Sequence, residues 1–385
     1  MTRLPIPTPP LGLYVHLPWC VRKCPYCDFN SHALQGVIPE RAYVAALLAD
    51  LAGYAAGFSD RPIHSIFIGG GTPSLFSPDA IHRLLDGIRT YWTLTQTTEI
   101  TLEANPGTVE TGLFRGFREA GVNRLSLGIQ SFDEASLVQL GRIHDRTQAL
   151  KAVASARAAG FDSFNLDLMF GLPGQDLTRG LADIETALAL EPPHLSWYQL
   201  TLEPNTLFHK YPPKLPGDEA IWALQQAGLA KLAEAGYEQY EVSAHARVGH
   251  RCRHNLNYWQ FGDYMGIGAG AHGKLTDPAT GAITRTRVIR HPQHYLSHAG
   301  QPERCRESGQ VSPDQYPFEF LMNHLRLREG FDCAVYRLRT GLPESTLEPG
   351  LSHCLADGLL EREGDIIRCT PQGWNFLDDV LQRFL

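Results

Sequence analysis

"LGLYVHLPWCVRKCPYCDFN", residues 11–30, sets a short apolar run against a loop that holds three of the chain's eight cysteines. LGLYVHL (11–17) reads as a strand, because near-continuous apolar character over so short a length suits a strand covered on both faces. The loop leaving it carries Cys20, Cys24 and Cys27 in C-x3-C-x2-C spacing, and Phe29 stands where a fourth thiolate would be looked for. Three thiolates can hold three irons of a cubane cluster and leave the fourth iron without a protein ligand, whereas clusters that only carry electrons usually have four cysteines. An open iron can bind an outside molecule. Spacing alone also allows a zinc site of three cysteines with His16 or His32 as fourth ligand.

Outward from this loop the chain alternates short apolar runs with longer helical patterns as far as about residue 204. The strand-like runs are 11–17, 65–70, 99–105, 124–130, 163–171 and 194–204. Between them RAYVAALLADLAGYAAG, DAIHRLLDGIRTYW, GLFRGFREAG, RTQALKAVASARAAG and LTRGLADIETALAL space their apolar residues at three and four. Alternating β and α with apolar strands implies an α/β fold on a parallel sheet. Six units are too few for a closed eight-stranded barrel, so an open, partial (β/α)6 barrel is expected, with a doubly wound sheet as its competitor. Working residues of such a barrel sit at the carboxyl ends of the strands. Tyr14 and His16 close the first strand, Gly69, Gly70, Gly71, Thr72 and Pro73 the second, Glu103 the third and Gln130 the fourth, with Asp167 in the fifth and Arg142 twelve residues after Gln130. Each has a plain alternative: a tight turn for the glycines, a helix cap for a carboxylate, a surface site for the arginine.

The chain has 385 residues, 43% hydrophobic and 19% charged, with a net charge of −7. It can build a sizeable core, and the acidic balance argues against binding along a phosphate backbone. The N-terminal sequence lacks the apolar region of a signal peptide and no apolar run is long enough to span a bilayer, so a cytoplasmic protein without a membrane span is expected. Reduced thiols there make a tight cysteine cluster a metal or catalytic feature; the scattered Cys252, Cys305, Cys333, Cys354 and Cys369 read as packed thiols. After Pro204 the pattern changes. The expected divisions are 1–235 for the barrel, 236–312 for an extension containing HNLNYW (254–259), and 313–385 for a small winged-helix-like α+β domain. Some winged helices bind DNA; with this acidic balance a structural or docking role is preferred and no nucleic-acid partner is expected.

The cysteine spacing, Tyr26 before the last cysteine and the six β/α units resemble the radical S-adenosylmethionine superfamily. That resemblance implies a [4Fe-4S] cluster on Cys20, Cys24 and Cys27, with S-adenosylmethionine chelating the open iron and being cleaved by one electron to a 5′-deoxyadenosyl radical. LYVHLPWCVRKCPYCDFNSH, IFIGGGTPSL, LEANPGT, RLSLGIQSF, GRIHD, NLDLMFGLPGQ and HLSWYQLTLEPNT look more closely like the oxygen-independent coproporphyrinogen oxidase family. One branch of it decarboxylates coproporphyrinogen III; another binds haem and is regarded as a haem chaperone. Phe29 in place of a further cysteine, the short segment before Cys20 and HNLNYW are similar to the haem-binding branch. The resemblance implies that Tyr14, Gly70, Gly71, Thr72 and Glu103 serve S-adenosylmethionine, and that Gln130, Arg142 and Asp167 match contacts to a second copy of it in the enzyme branch. It implies haem at or near His254, passed to client haemoproteins, including membrane-bound respiratory enzymes that would bring the chain to the inner membrane peripherally. Read by itself, HNLNYW offers an imidazole that can ligate haem iron and two aromatic faces, or ordinary packing. Cys252 could be a thiolate ligand instead, and MGIGAGAHG could close over a flat ligand or only turn the chain before His272. The alternative function is oxygen-independent coproporphyrinogen III dehydrogenation in porphyrin biosynthesis, which would use the same cluster residues.

Overall fold

The computed structural model describes residues 8–108 and 111–385; the first residues of the N-terminal stretch read above for a signal peptide lie outside them. Strands β1 (Leu11–Leu17), β2 (Ile63–Gly70), β3 (Glu99–Ala104), β4 (Arg124–Gln130), β5 (Phe164–Phe170) and β6 (His194–Gln199) run parallel in that order. They are the six apolar runs of the sequence, with ends moved by a few residues at most in the last. Helices α1 (Glu40–Phe58), α2 (Pro78–Arg89), α3 (Thr111–Ala120), α4 (Arg146–Ala158), α5 (Leu177–Ala189) and α6 (Asp218–Glu234) follow the six strands in turn. Local chemistry starts several of them. Ser77 caps α2 with its hydroxyl on the Ala80 N–H, followed by proline at the first helical position. Asp145 and Gln148 close a capping box on α4. The buried residues of α2, Ala80, Ile81, Leu84, Leu85 and Ile88, form one stripe against the sheet.

The parallel run does not end with these six. β7 (Glu238–Glu241) and β8 (Ala244–Ala246) turn back antiparallel beside β6, and helix α7 (Arg253–Trp259) then leads to β9 (Asp263–Ile267). β9 pairs parallel with β1 on the side away from β2, so it is a seventh parallel strand. β10 (His272–Thr276), β11 (Ile283–Val288) and β12 (Cys305–Gln310) continue antiparallel beyond it. The sheet therefore has twelve strands in the order β12-β11-β10-β9-β1-β2-β3-β4-β5-β6-β8-β7, an open and mostly parallel partial barrel. The sequence pattern hides β9 because DYMGI is short and runs straight into glycines. Gly268 and Gly270 have φ values of +99° and +83°, which turn the chain sharply before His272. At Gly268 an added Cβ would lie 2.4 Å from the His16 carbonyl oxygen, so the turn packs directly on the end of β1.

The C-terminal residues fold around a second core that includes Phe320, Phe331, Tyr336, Leu351, Ile367 and Val380. It contains α8 (Tyr316–His324), α9 (Cys333–Thr340), α10 (Gly350–Ala356) and a hairpin of β14 (Leu360–Glu363) and β15 (Ile366–Cys369), with β13 (Phe331–Asp332) on its edge. Among the described residues no helix is long and apolar enough to cross a membrane.

Candidate functional site

The cysteine loop is pinned at both ends. Trp19–Cys20 pairs with His32–Ala33, and the Leu34 N–H donates to the Cys20 carbonyl at 2.8 Å. Between these, the Cys27 N–H donates to the Cys24 carbonyl, closing a turn that brings the second and third thiols together. Each thiol has a polar side chain beside it: Thr72 Oγ1 lies 3.5 Å from Cys20 Sγ, Ser31 Oγ 3.7 Å from Cys27 Sγ, and Arg142 Nη1 3.7 Å from Cys24 Sγ. Burial pushes the Cys20 and Cys27 thiols up, while the Thr72 and Ser31 hydroxyls act against it.

The glycine run at the end of β2 wedges against this loop. The Gly71 N–H donates to Leu17 O and the Thr72 N–H to Trp19 O. A Cβ on Gly71 would lie 2.5 Å from the Trp19 carbonyl oxygen, and one on Gly70, which has a φ of +122°, would lie 2.8 Å from His16 and Leu17. Only glycine lets the two backbones meet here. The Gly70 N–H donates to Glu103 Oε2 at 3.0 Å. Enclosure by protein, and next the nearby Asp167, raise Glu103 to about 8 against that hydrogen bond. Asp167 accepts from Asn165 Nδ2 at 2.7 Å and Ser126 Oγ at 3.1 Å, and burial raises it too. Gln130 ends β4 with a φ of +69°, a left-handed backbone rare for a residue with a side chain; its Oε1 accepts from Tyr198 at 2.8 Å. Arg142 donates from Nη2 to Gly128 O, while its buried Nε has no partner among the described residues.

These residues share one cavity of about 260 Å³, lined by Cys20, Cys24, Cys27, Gly70, Gly71, Thr72, Glu103, Gln130, Arg142 and Asp167. The sequence-predicted residues Tyr14 and His254 are not part of it. Tyr14 lines a second, adjoining cavity of about 680 Å³, whose walls include Tyr258, Trp259, His272, Arg285, Arg287 and Arg290. Phe29, Gly70 and Glu103 belong to both cavities. His254 lies beneath the second one. It packs over Gly12, stacks on Phe67 at 5.1 Å, and has both ring nitrogens engaged, with Ser65 Oγ at 2.9 Å and Tyr258 OH at 3.0 Å. Burial first, and then Arg124, lower it to about 3, so it is neutral. Cys252 is also buried, with its Sγ 3.6 Å from Glu99 Oε1, and burial pushes its thiol up to about 12. The MGIGAGAHG stretch forms the end of β9 and the turn into β10, and Asn30 of the cysteine loop donates to Ala269 O within it.

The donor set suits a multi-iron cluster better than zinc. Among the described residues no three His, Cys, Asp or Glu side chains are arranged to hold a single metal ion. His16 accepts from Tyr14 OH at Nδ1 and donates from Nε2 to Asn30 O, so neither nitrogen is free for a fourth ligand. His32 is within 3.3 Å of Asn30 Oδ1. Three thiols on one cavity wall, each beside a polar group, and an orphaned guanidinium Nε in the same wall fit a cluster with an anionic ligand beside it. Sequence reasoning missed Ser126, Tyr198 and the arginines of β11. Ser126, Gly128 and Gln130 alternate on one face of β4, so the period-2 rule pointed to Ser126. TRTRV likewise places Arg285 and Arg287 on one face.

The radical SAM superfamily model matches residues 14–184, and that of the HemN C-terminal domain residues 311–376. Among solved structures, coproporphyrinogen III oxidase (HemN) from Escherichia coli superposes with a TM-score of 0.83 over 99% of this chain and 91% of that one, at 22% identity. That likeness establishes the fold. Curated relatives named heme chaperone HemW are 50% identical in Escherichia coli (strain K12), over 98% of both chains, and 49% identical in Haemophilus influenzae, again over 98% of both. The one from Mycobacterium tuberculosis is 35% identical over 99% of this chain and 96% of its own. With such identity over nearly the whole length of both chains, the chain belongs to the HemW heme chaperone family of the radical SAM superfamily.

Proposed function

We propose that this chain binds haem in the larger cavity and hands it to client haemoproteins, including membrane-bound respiratory enzymes, with a [4Fe-4S] cluster on Cys20, Cys24 and Cys27. Radical SAM membership implies the cluster and S-adenosylmethionine. When bound, the cluster supplies one electron to the sulfonium of S-adenosylmethionine. The chain's own residues do the rest. Gly70 and Gly71 present backbone without Cβ, and Glu103 offers a carboxylate to the cofactor's positive groups. Gln130, Arg142 and Asp167 line the same wall, which supports one cofactor in contact with all of them, Arg142 holding its carboxylate. Tyr14 closes the floor between the two cavities through its hydrogen bond to His16. His254 acts from behind, fixing Tyr258, which with Trp259 faces the haem.

The observation that carries this reading is the shared wall. Phe29, Gly70 and Glu103 face both the thiol cavity and a cavity large enough, aromatic enough and basic enough for a tetrapyrrole. The same adjacency would serve coproporphyrinogen III dehydrogenation, so the test separates the two. Protein reconstituted anaerobically with iron and sulfide is given dithionite, S-adenosylmethionine and coproporphyrinogen III, with 5′-deoxyadenosine followed as the sign of a live cluster. The expected result is cofactor cleavage without protoporphyrinogen, and, in a parallel tube, haem-loaded protein losing its haem to membranes depleted of haem. Protoporphyrinogen formed at an enzyme-like rate would overturn the chaperone reading.

A further inference from the structure

The larger cavity contains one histidine with an unused ring. His16 has both nitrogens bonded, and His254 lies under the floor at 1% exposure with both nitrogens bonded. His272, the first residue of β10, lines the cavity, and its imidazole is hydrogen-bonded to no described residue. It stands in register with Arg287 on β11, and the next pair on the same face is Lys274 with Arg285. Two of these cations are already committed. Lys274 donates to Phe261 O, Gly262 O and Asp263, and Arg285 holds Tyr264 OH and Glu319. Among the described residues Arg287 has only the exposed Glu307 as ion-pair partner, at 2.8 Å. Arg290 makes no ion pair with a described residue. Phe29, 61% exposed, reaches the same cavity from the cysteine loop, and Met322 reaches it from the C-terminal domain.

A metal tetrapyrrole is flat and apolar on its faces, carries two carboxylates on one edge, and offers an axial metal site that an imidazole can fill. Resting on the haem-carrier reading, we infer that His272 ligates the haem iron in this cavity, that Arg287 and Arg290 receive the propionates, and that Phe29 and Met322 cover the macrocycle. Burial and the surrounding Arg287, Arg285 and Arg290 hold His272 below the ordinary histidine range, so it meets the metal as the neutral imidazole that ligation requires. His254 is then a positioning residue behind Tyr258.

The test uses the full chain with its cluster reconstituted, titrated with haemin and followed by Soret absorbance and electron paramagnetic resonance. The wild type is expected to give a nitrogen-ligated spectrum. His272→Ala, a change at an exposed position, is expected to lose that spectrum and at least tenfold in affinity, and added imidazole to restore the spectrum. Arg287→Ala with Arg290→Ala is expected to weaken haemin at least tenfold and leave haemin dimethyl ester, which has no free carboxylates, bound as before. A wild-type spectrum in His272→Ala overturns the assignment. So does loss of ligation confined to His254→Ala, or to a variant of the exposed His291 and His294 and the half-buried His298. In all these cases haem still binds and the carrier reading stands; a wild type that binds no haemin removes the carrier reading itself.

Discussion

Glu103 is a residue of the thiol cavity whose charge changes with pH. Its folded pKa is about 8, against an ordinary carboxyl value of 4.5, chiefly because protein encloses it and then because Asp167 lies near. Below 4.5 folded and unfolded chains both hold the proton. Between 4.5 and about 8 only the folded chain holds it, so raising the pH through this window favours unfolding, by at most about 1.4 kcal/mol per pH unit. A positive ligand reverses the preference, because it needs the ionised form. S-adenosylmethionine affinity is therefore expected to rise about tenfold per pH unit up to about pH 8 and then level off. Calorimetry in buffers of different ionisation enthalpy should show a proton released on binding near pH 7. In Glu103→Gln both the release and the slope should vanish, with affinity lower at pH 8 and above. A Glu103→Gln variant that keeps the wild-type slope would place the titration elsewhere.

At the scale of elements, α7 shows how a helix is started from outside. Its N-cap residue, Cys252, makes no side-chain cap hydrogen bond. Glu99, the first residue of β3, does the work instead: Oε2 accepts from the Arg253 N–H at 3.1 Å and Oε1 from the His254 N–H at 3.0 Å. A carboxylate across two free N–H groups is favoured by the helix dipole as well. Glu99→Ala is expected to cost about 1–2 kcal/mol, read as a lower urea midpoint with an unchanged slope. Because α7 carries Tyr258 and Trp259, the same variant should also weaken haem binding; unchanged stability would show that α7 is held by packing alone. The glycine run of β2 is the companion case. IFIGGGTPSL displays its glycines openly, but their need is a contact between two loops: Gly71 meets the Trp19 carbonyl, a partner that sequence spacing does not name.

For the whole molecule, the two cavities meet at Phe29, Gly70 and Glu103, so whatever fills one alters the wall of the other. Binding linkage then requires reciprocity. If S-adenosylmethionine changes haem affinity by some factor, haem must change S-adenosylmethionine affinity by the same factor. The expected factor is at least about fivefold, measured by titrating each ligand with and without a saturating amount of the other. Independent affinities would mean that the shared wall does not move. The C-terminal domain belongs to the same unit. Its Met322 and Asn323 line the larger cavity, Arg326 pairs with Glu241 at 3.1 Å, and Glu319 holds Arg285. A winged-helix-like tail in this chain is thus one wall of a site.

The amino-acid sequence alone determined the six β/α units, the cysteine triad and the strand-end residues from Gly70 to Asp167. These are local signals: an apolar run, a loop spacing, a residue at a strand's carboxyl end. A parallel barrel brings all such ends to one rim, so position along each strand is enough to place Glu103, Gln130 and the thiols around a common space, which Asp167 lines from the middle of β5. Tertiary structure alone decided the rest. The seventh strand joins β1 across some 250 residues of chain, and in doing so carries β10 and β11 to the side of β1 away from β2. That crossing puts His272 and Arg287 beside Tyr14 and Phe29, and it buries His254 against Gly12 instead of at the cavity surface. A histidine followed by aromatics reads the same in either place. Whether its ring is free depends on which hydroxyls reach it, here that of Tyr258 one helical turn on and that of Ser65 far away in the chain.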